Sequence, residues 1–292
     1  MPLTGAIPEW FLTIVAAATV FTVMFHLGLG IVLREFTWVW RHPGLIAKGL
    51  FSVLIAVPVF ALLVTRVFDL ARPVEIGIVL MAISPGAPVA LRRSLDAGGH
   101  RSFAPALQIL VAMLAVVSMP LSIAALNEFY AGNATIAPRE LARQVFIAQL
   151  LPLGLGMIAR RAFPARAMWL EPRLARLATV LLIALMVFVL IDVWGAVVDA
   201  GPRIVLAIVT ITALALAAGH WLGGPEPGTR TAVAISSAAR NPGLALLVAA
   251  LNAASPVINA TVLAYLVVSA FTVIAYVLWR RHSDRRVSAG EP

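Results

Sequence analysis

The chain has 292 residues, of which 61% are hydrophobic and 12% charged, and its mean hydropathy is +0.97. A soluble domain of this length could not bury so much apolar surface, so the composition predicts an integral membrane protein. The net charge of +9 does not indicate a nucleic-acid-binding protein, because the basic residues are concentrated between apolar segments.

Nine apolar segments, each close to the ~20 residues that cross a bilayer, follow one another along the chain. They are residues 10–33, 44–65, 73–91, 102–126, 141–159, 176–198, 203–222, 231–252 and 256–279. The first has no basic residue ahead of it, which is typical of a retained spanning helix rather than a signal peptide. We therefore predict an all-α integral membrane protein, a single transmembrane domain over residues 1–292 with nine transmembrane helices. Its longest loops are expected near 127–140 and 160–175.

Lysine and arginine are distributed unevenly between the two sides of this topology. The loops after segments 1, 3, 5 and 7 and the C-terminal tail hold 16 of the 22, the other side holds five, and Arg240 lies inside segment 8. This asymmetry predicts a multi-pass protein of the cell (inner) membrane, with the N-terminus outside and the C-terminus in the cytoplasm.

Segments 3 and 8 are interrupted by proline and glycine, at Ser84-Pro85-Gly86-Ala87-Pro88 and at Asn241-Pro242-Gly243. Each is the third segment of a group of four. Repeat one covers about 10–126, a connector helix about 141–159, and repeat two about 176–279. The offset of five segments is odd, so the two groups run in opposite directions. This predicts an inverted four-helix repeat with two broken helices, which is typical of the binding site of secondary transporters; two ordinary proline kinks are the alternative.

Proline lacks the N–H that bonds to the carbonyl four residues earlier, so each break is expected to release backbone carbonyls. The carbonyls concerned are those of Met81, Ser84 and Ala238. A half-helix C-terminus with free carbonyls favours a cation, and a half-helix N-terminus with free N–H groups favours an anion. Two breaks of opposite orientation therefore predict a polar site at mid-depth.

Arg240 lies about ten residues into segment 8, where a charged side chain is costly. No acidic residue lies mid-segment elsewhere, so its expected partners are the released carbonyls of segment 3, with Gln108, Gln149 and Ser236 as neutral neighbours. Arg240 is interpreted as a fixed charge for an anionic substrate or as a substitute for a metal ion. A structural strut without a ligand is the alternative.

The segments contain no carboxylate pair, Ser-His-Asp arrangement, phosphate-binding loop or metal-ligand spacing, and the chain has no cysteine. We therefore expect a protein that is not an enzyme and has no cofactor. His26 and His220 lie towards the inner ends of segments 1 and 7. Each is interpreted as a packed or interfacial histidine, with a proton carrier as the alternative.

Three short stretches resemble the bile acid:sodium symporter family. They are His26-Leu-Gly-Leu-Gly30, Ser84-Pro-Gly86 and Ala239-Arg-Asn-Pro-Gly-Leu-Ala245, in this order. The resemblance runs from segment 1 to segment 9, and the chain begins at the second helix of ten-helix members. It implies a core domain and a panel domain, two broken helices that cross in the core, and alternating-access transport of organic anions, usually coupled to sodium.

The residues that bind sodium in this family are not matched here. Family members tend to have Gly-Thr-Ala-Ser-Asn after the first Pro-Gly, where this chain has Ala87-Pro-Val-Ala-Leu91. The glutamate expected in the second broken helix falls on Ser236 and the following glutamine on Arg240, while a segment 4 threonine falls on Gln108. We hypothesise that Arg240 has the electrostatic role of sodium and that transport is sodium-independent.

Together these features predict a secondary active transporter of a small organic anion, which contacts lipid and no nucleic acid. The predicted substrate-binding residues lie in or beside the two breaks. They are Ser84, Pro85, Gly86, Pro88, Gln108, Ser236, Arg240, Asn241, Pro242 and Gly243. Two alternatives stay open: an auxin-efflux-type carrier that exports an organic acid, and a non-transporting membrane receptor that keeps the fold.

Overall fold

A computed structural model describes residues 9–30, 41–86, 88–129, 137–198, 201–252 and 254–288. In this part of the chain every element of regular structure is a helix. The helices are α1 (Glu9–Gly30), α2 (Pro43–Val67), α3 (Arg72–Ala82), α4 (Pro88–Asp96), α5 (Phe103–Phe129), α6 (Pro138–Ala162), α7 (Pro164–Val198), α8 (Gly201–Leu222), α9 (Pro227–Ala238), α10 (Pro242–Leu251) and α11 (Pro256–Ser288).

Seven helical stretches among the described residues are long and apolar enough to cross a membrane. They lie in α1, α2, α5, α6, α8, the α9–α10 pair and α11. Predicted segments 3 and 6 are not among the seven. Segment 3 is divided into α3 and α4, of 11 and 9 residues, and segment 6 lies within α7. The chain is thus an all-helical, multi-pass membrane protein, and the number of nine transmembrane helices stays a prediction.

The long loop expected near 160–175 is wrong, because this stretch is helical. Helix α6 continues to Ala162 and α7 begins at Pro164, one residue after Phe163. Alanine and arginine favour helix, and proline fits the first helical position, where its missing N–H costs no hydrogen bond. At the other expected loop, α5 continues to Phe129 and α6 begins at Pro138, while residues 130–136 lie outside the described part of the chain.

The pair α9–α10 lies at the centre of the helix bundle. From Thr231 to Ala249 every residue is buried except the half-buried Ala239. Helix α8 packs closely on this pair, since a Cβ added to Gly219 would lie only 2.5 Å from Ala234 Cα. Close backbone approach at small residues is the usual way in which helices associate in lipid. The break that interrupts segment 8 is therefore surrounded by protein.

Helices α2 and α6 each contain one widened turn, at Ser52–Ala56 and Phe146–Leu150. In each, an N–H donates to a carbonyl five residues back, from Val57 to Ser52 and from Leu151 to Phe146. A proline follows directly in both helices, and the widened turn accommodates the hydrogen bond that proline cannot make. Both turns lie beside the breaks described below.

Substitution at the α1–α6 contact is expected to lower stability. A Cβ added to Gly156 would overlap the carbonyl oxygen of Phe25 and lie 2.9 Å from Gly28 Cα. Gly156→Ala should therefore cost about 1–3 kcal/mol by overpacking, despite the better helix propensity of alanine. The measurement is the thermal unfolding midpoint in detergent. The matched control is Gly154→Ala on the same helix, where a Cβ would meet no atom within 4 Å; equal midpoints for the two variants would contradict this packing.

Candidate functional site at the two helix breaks

The first break separates α3 from α4. Residues 83–86 are not helical, and Gly86 has a φ of +84°, in the left-handed region that glycine adopts without a Cβ penalty. The Ser84 hydroxyl donates to the Leu80 carbonyl at 2.7 Å, and the Ser84 N–H donates to the Met81 carbonyl at 3.1 Å. The Met81 carbonyl, expected to be free, therefore has a donor within its own chain segment.

The second break separates α9 from α10. Asn241 is the N-cap of α10, and its Oδ1 accepts a hydrogen bond from the Leu244 N–H at 3.1 Å. Pro242 occupies the first helical position, where proline is favoured. The Nδ2 atom of Asn241 is buried and makes no hydrogen bond within the described residues. One end of this side chain thus fixes the helix start, and the other end is left as a buried donor.

A backbone hydrogen bond joins the two breaks. The Asn241 N–H donates to the Ser84 carbonyl at 2.9 Å, and both residues are buried. The Ser84 carbonyl was expected to be released because Pro88 has no N–H. Instead, it accepts a hydrogen bond from the second break. The two interrupted segments are therefore in direct contact inside the protein.

The guanidinium of Arg240 binds three backbone carbonyls from three helices. Nη1 donates to Val53 at 3.0 Å and to Ala82 at 2.9 Å, and Nη2 donates to Ser237 at 2.6 Å. Ala82 and Ser237 lie in the last turns of α3 and α9, where the helix dipole favours a cation. Arg240 is only 3% exposed, and no carboxylate lies within ion-pair distance of it in the described part of the chain.

The partners of Arg240 differ in part from those expected. A carbonyl of the first break is among them, but it belongs to Ala82 rather than to a proline-released residue. The side chains of Gln108, Gln149 and Ser236 make none of its hydrogen bonds. The partner that the sequence does not predict is the Val53 carbonyl of α2. Helix α2 also contacts α9 through the hydroxyls of Ser52 and Ser237, which lie 2.8 Å apart. Arg240 therefore holds the widened turn of α2 against both breaks.

A cavity of about 460 Å³ lies between α1, α6 and α7 on one side and α4 and α5 on the other. Its wall is mostly apolar, and its polar side chains are those of His26, Arg92, Gln108, Glu171 and Thr179.

The wall of this cavity touches both breaks. A Cβ added to Gly86 would lie 3.6 Å from Ala112 Cα, and one added to Gly243 would lie 3.7 Å from Leu182 Cδ1. Ala112 and Leu182 both line the cavity. A ligand in the cavity would thus be separated from the breaks by no more than one layer of side chains.

Gln149 lies at the same place, in the widened turn of α6. Its side chain is fully buried, and neither Oε1 nor Nε2 has a hydrogen-bond partner within the described residues. A Cβ added to Gly86 would lie 3.3 Å from Gln149 Nε2, so the amide faces the first break. Leaving such a group unsatisfied costs about 1–3 kcal/mol, so this amide is a candidate ligand-binding group.

The predicted site residues fall into three groups. Six lie in the two breaks and are buried: Ser84, Pro85, Gly86, Asn241, Pro242 and Gly243. Gln108 lines the cavity, and Pro88 is the first residue of α4. Ser236 and Arg240 are buried beside the breaks and are not part of the cavity wall.

Sequence reasoning missed two contributors. Gln149 was considered only as a neighbour of Arg240, although a glutamine in the middle of apolar segment 5 is itself a signal of function. Glu171 was placed in a loop, because the Arg-rich stretch before segment 6 was not interpreted as helix. In the described part of the chain, no three His, Cys, Asp or Glu side chains lie close enough together to hold a metal ion.

An all-helical membrane protein with interrupted helices in contact beside a cavity has the architecture of a transporter. A sequence profile of the Sodium Bile acid symporter family matches residues 17–199, more than half of the chain. The chain belongs to this family. The match includes the first break and Gln108, and it ends before the second break.

The chain is also similar to a curated protein of Oryza sativa subsp. japonica, described as "Probable sodium/metabolite cotransporter BASS2, chloroplastic". The two are 23% identical over 204 residues, which cover 68% of this chain and 47% of the rice protein. The chain therefore spans about half the length of that relative. The family is one of membrane transporters, and the sodium/metabolite cotransport in the relative's description is said of that protein.

Replacement of Arg240 is expected to destabilise the fold. Arg240→Gln would leave two or three buried carbonyls without donors, at roughly 1–3 kcal/mol each, and Arg240→Lys would restore only part of this because lysine lacks the planar fork. Thermal unfolding followed by tryptophan fluorescence measures the effect. Arg203→Gln, which changes an exposed arginine at the start of α8, serves as the control and should shift the midpoint little. A wild-type midpoint for Arg240→Gln would refute the proposed attachment of three helices.

Proposed function

We propose that this protein is a secondary transporter of small organic anions that works by alternating access without the usual sodium sites. The observation that supports this most directly is the contact of the two breaks beside the cavity, through the 2.9 Å bond from Asn241 N–H to the Ser84 carbonyl. The substrate is proposed to bind in the cavity, with its charged group directed to the breaks.

The chemistry of the breaks favours an anion. Helices α4 and α10 both begin here with a proline, which has no N–H, and the Leu244 N–H is already bound to Asn241 Oδ1, so the donors left are the other N–H groups of the first turns. These groups and the positive end of the helix dipole attract a carboxylate or a sulfonate. Two buried amide nitrogens without partners in the described residues, Asn241 Nδ2 and Gln149 Nε2, are further donors beside the breaks. The apolar cavity wall would hold the rest of the substrate.

The C-terminal ends of α3 and α9 explain why transport is proposed to be independent of sodium. The carbonyls at the ends of α3 and α9 already bind Arg240, so the place for a cation between them is filled by the protein itself. A sodium ion ~4 Å from the guanidinium would be repelled by about 4 kcal/mol at an effective dielectric near 20. We therefore assign Arg240 the role of a permanent cation in the place of an exchangeable one.

The proposed transport cycle follows from the position of the cavity. Its wall includes Gly30, Arg92 and Glu171, which lie at the predicted cytoplasmic ends of their segments. We propose that this conformation faces the cytoplasm, in a nine-helix inverted repeat in the cell membrane. Movement of α1, α6 and α7 against the remaining helices would close the cavity on this side and open the other side.

Sodium independence is tested in proteoliposomes. The probes are lactate, malate, isethionate, p-toluenesulfonate and taurocholate, each assayed by counterflow exchange in sodium medium and in potassium medium. We expect at least one probe to be exchanged at equal rates in both media, because Arg240 replaces the ion. Exchange that requires sodium would contradict the role assigned to Arg240, and the absence of exchange for every probe would contradict the transport function.

Gln149→Leu is expected to weaken substrate binding while it stabilises the folded protein. Hydrogen bonds to a charged group contribute about 1.5–3 kcal/mol, so the KM for the exchanged anion should rise roughly tenfold to a hundredfold. The unfolding midpoint should rise, because leucine removes an unsatisfied amide at similar volume.

The matched control for this variant is Gln144→Leu on the same helix. Gln144 accepts a hydrogen bond from Asn252 Nδ2 at 3.2 Å, whereas the amide of Gln149 has no partner within the described residues. Gln144→Leu should leave the KM unchanged. An unchanged KM for Gln149→Leu would exclude its amide from the substrate site.

A further inference from the structure

The cavity wall carries three ionisable side chains within the described residues: His26 of α1, Arg92 of α4 and Glu171 of α7. His26 Nδ1 lies 3.7 Å from Glu171 Oε1, which is too far for a hydrogen bond and within ion-pair distance. Nδ1 is buried and has no hydrogen-bond partner in the described part of the chain. A buried imidazole nitrogen that faces a carboxylate without sharing a hydrogen with it is a place where one proton can be bound.

We propose that His26 and Glu171 form a proton-binding site that couples anion movement to the movement of one proton in the same direction. This inference rests on the proposed transport function. The proton binds to the lone pair of His26 Nδ1 and produces an imidazolium–carboxylate pair with Glu171. It leaves from the same nitrogen when the cavity opens to the other side, and no other bond is formed or broken.

The charge of the cavity explains why proton and anion would bind together. With His26 neutral, the charges of Arg92 and Glu171 cancel, and the three ionisable side chains have a net charge of zero. With His26 protonated, the net charge becomes +1, which favours a monoanion. Coupling between two binding sites is reciprocal, so a bound anion strengthens proton binding by the same factor. A monoanion that moves with one proton is transported without net charge.

The helices packed on α1 provide no second carboxylate that lines the cavity beside His26. Helix α10 has no titratable side chain between Pro242 and Leu251. Helix α6 contributes Leu153 to the wall and has two arginines in its last turn, Arg160 and Arg161. From α7 only Glu171 among the charged residues lines the cavity, and from α4 only Arg92. Glu171 is thus the group that stabilises the imidazolium.

The test is uptake driven by a proton gradient in proteoliposomes, with the membrane potential set to zero by potassium and valinomycin. The probe is the fastest member of the same panel in counterflow exchange, preferably a sulfonate, because sulfonates do not cross the bilayer as neutral acids. An inward gradient of one pH unit should raise wild-type accumulation of a monoanion by about tenfold for one proton per anion. His26→Gln and Glu171→Gln should abolish this response, and counterflow exchange by the same variants is measured in parallel because both residues line the proposed substrate cavity.

Two matched controls accompany these variants. His220→Gln changes a histidine that is bonded to the Tyr276 hydroxyl at 2.8 Å, outside the cavity. Glu140→Gln changes a carboxylate that pairs with Arg143 near the start of α6. Both should keep the wild-type response to the proton gradient.

The outcomes separate the two proposals. If no probe is exchanged by the wild type, the transport function fails and the coupling fails with it. If the wild type exchanges a probe but does not respond to the gradient, or if His26→Gln still responds, the coupling alone is overturned. If His26→Gln also loses exchange, the pH profile of exchange by Glu171→Gln decides, since a profile identical to that of the wild type overturns the coupling.

Discussion

Interrupting a helix inside a membrane leaves backbone carbonyls that lipid cannot satisfy, and in this protein Arg240 supplies donors for two of them, Ala82 and Ser237, and for the Val53 carbonyl in the widened turn of α2. Its planar guanidinium can bind several carbonyls at once, which a compact ammonium group does less well. The bond from Asn241 to Ser84 satisfies one more carbonyl. Together these contacts supply donors to the carbonyls where the two interrupted helices lie side by side.

This arrangement gives the two kinds of half-helix end different roles. The C-terminal ends of α3 and α9 are neutralised by a charge that belongs to the chain itself. The N-terminal ends of α4 and α10 keep their positive dipoles, and the unpaired amides of Asn241 and Gln149 lie beside them. This division supports the proposal of an anionic substrate.

The family is named for sodium symport, so the proposed replacement of sodium by Arg240 would change how transport is driven. An ion that enters and leaves can transfer the energy of its gradient, whereas a side chain cannot leave its site. In the proposed function, Arg240 in the place of sodium would keep the electrostatic stabilisation of the breaks and lose that energy source. The histidine–glutamate pair in the cavity wall provides a group that can bind and release a charge. The fixed cation would then be Arg240 in the second break, and the exchangeable one would be the proton on His26 of α1.

The sequence by itself determined the membrane class, most of the apolar helices and the positions of both breaks, because length, hydropathy and proline act locally. It misjudged the stretch near 160–175, where arginines end the apolar run while the helix continues. Only the tertiary structure decided that Arg240 binds Val53, that Ser84 meets Asn241, and that Gln149 faces Gly86. These contacts join residues far apart in the chain, and their partners are backbone groups that every residue carries. A residue pattern therefore cannot predict these contacts before the helices are packed.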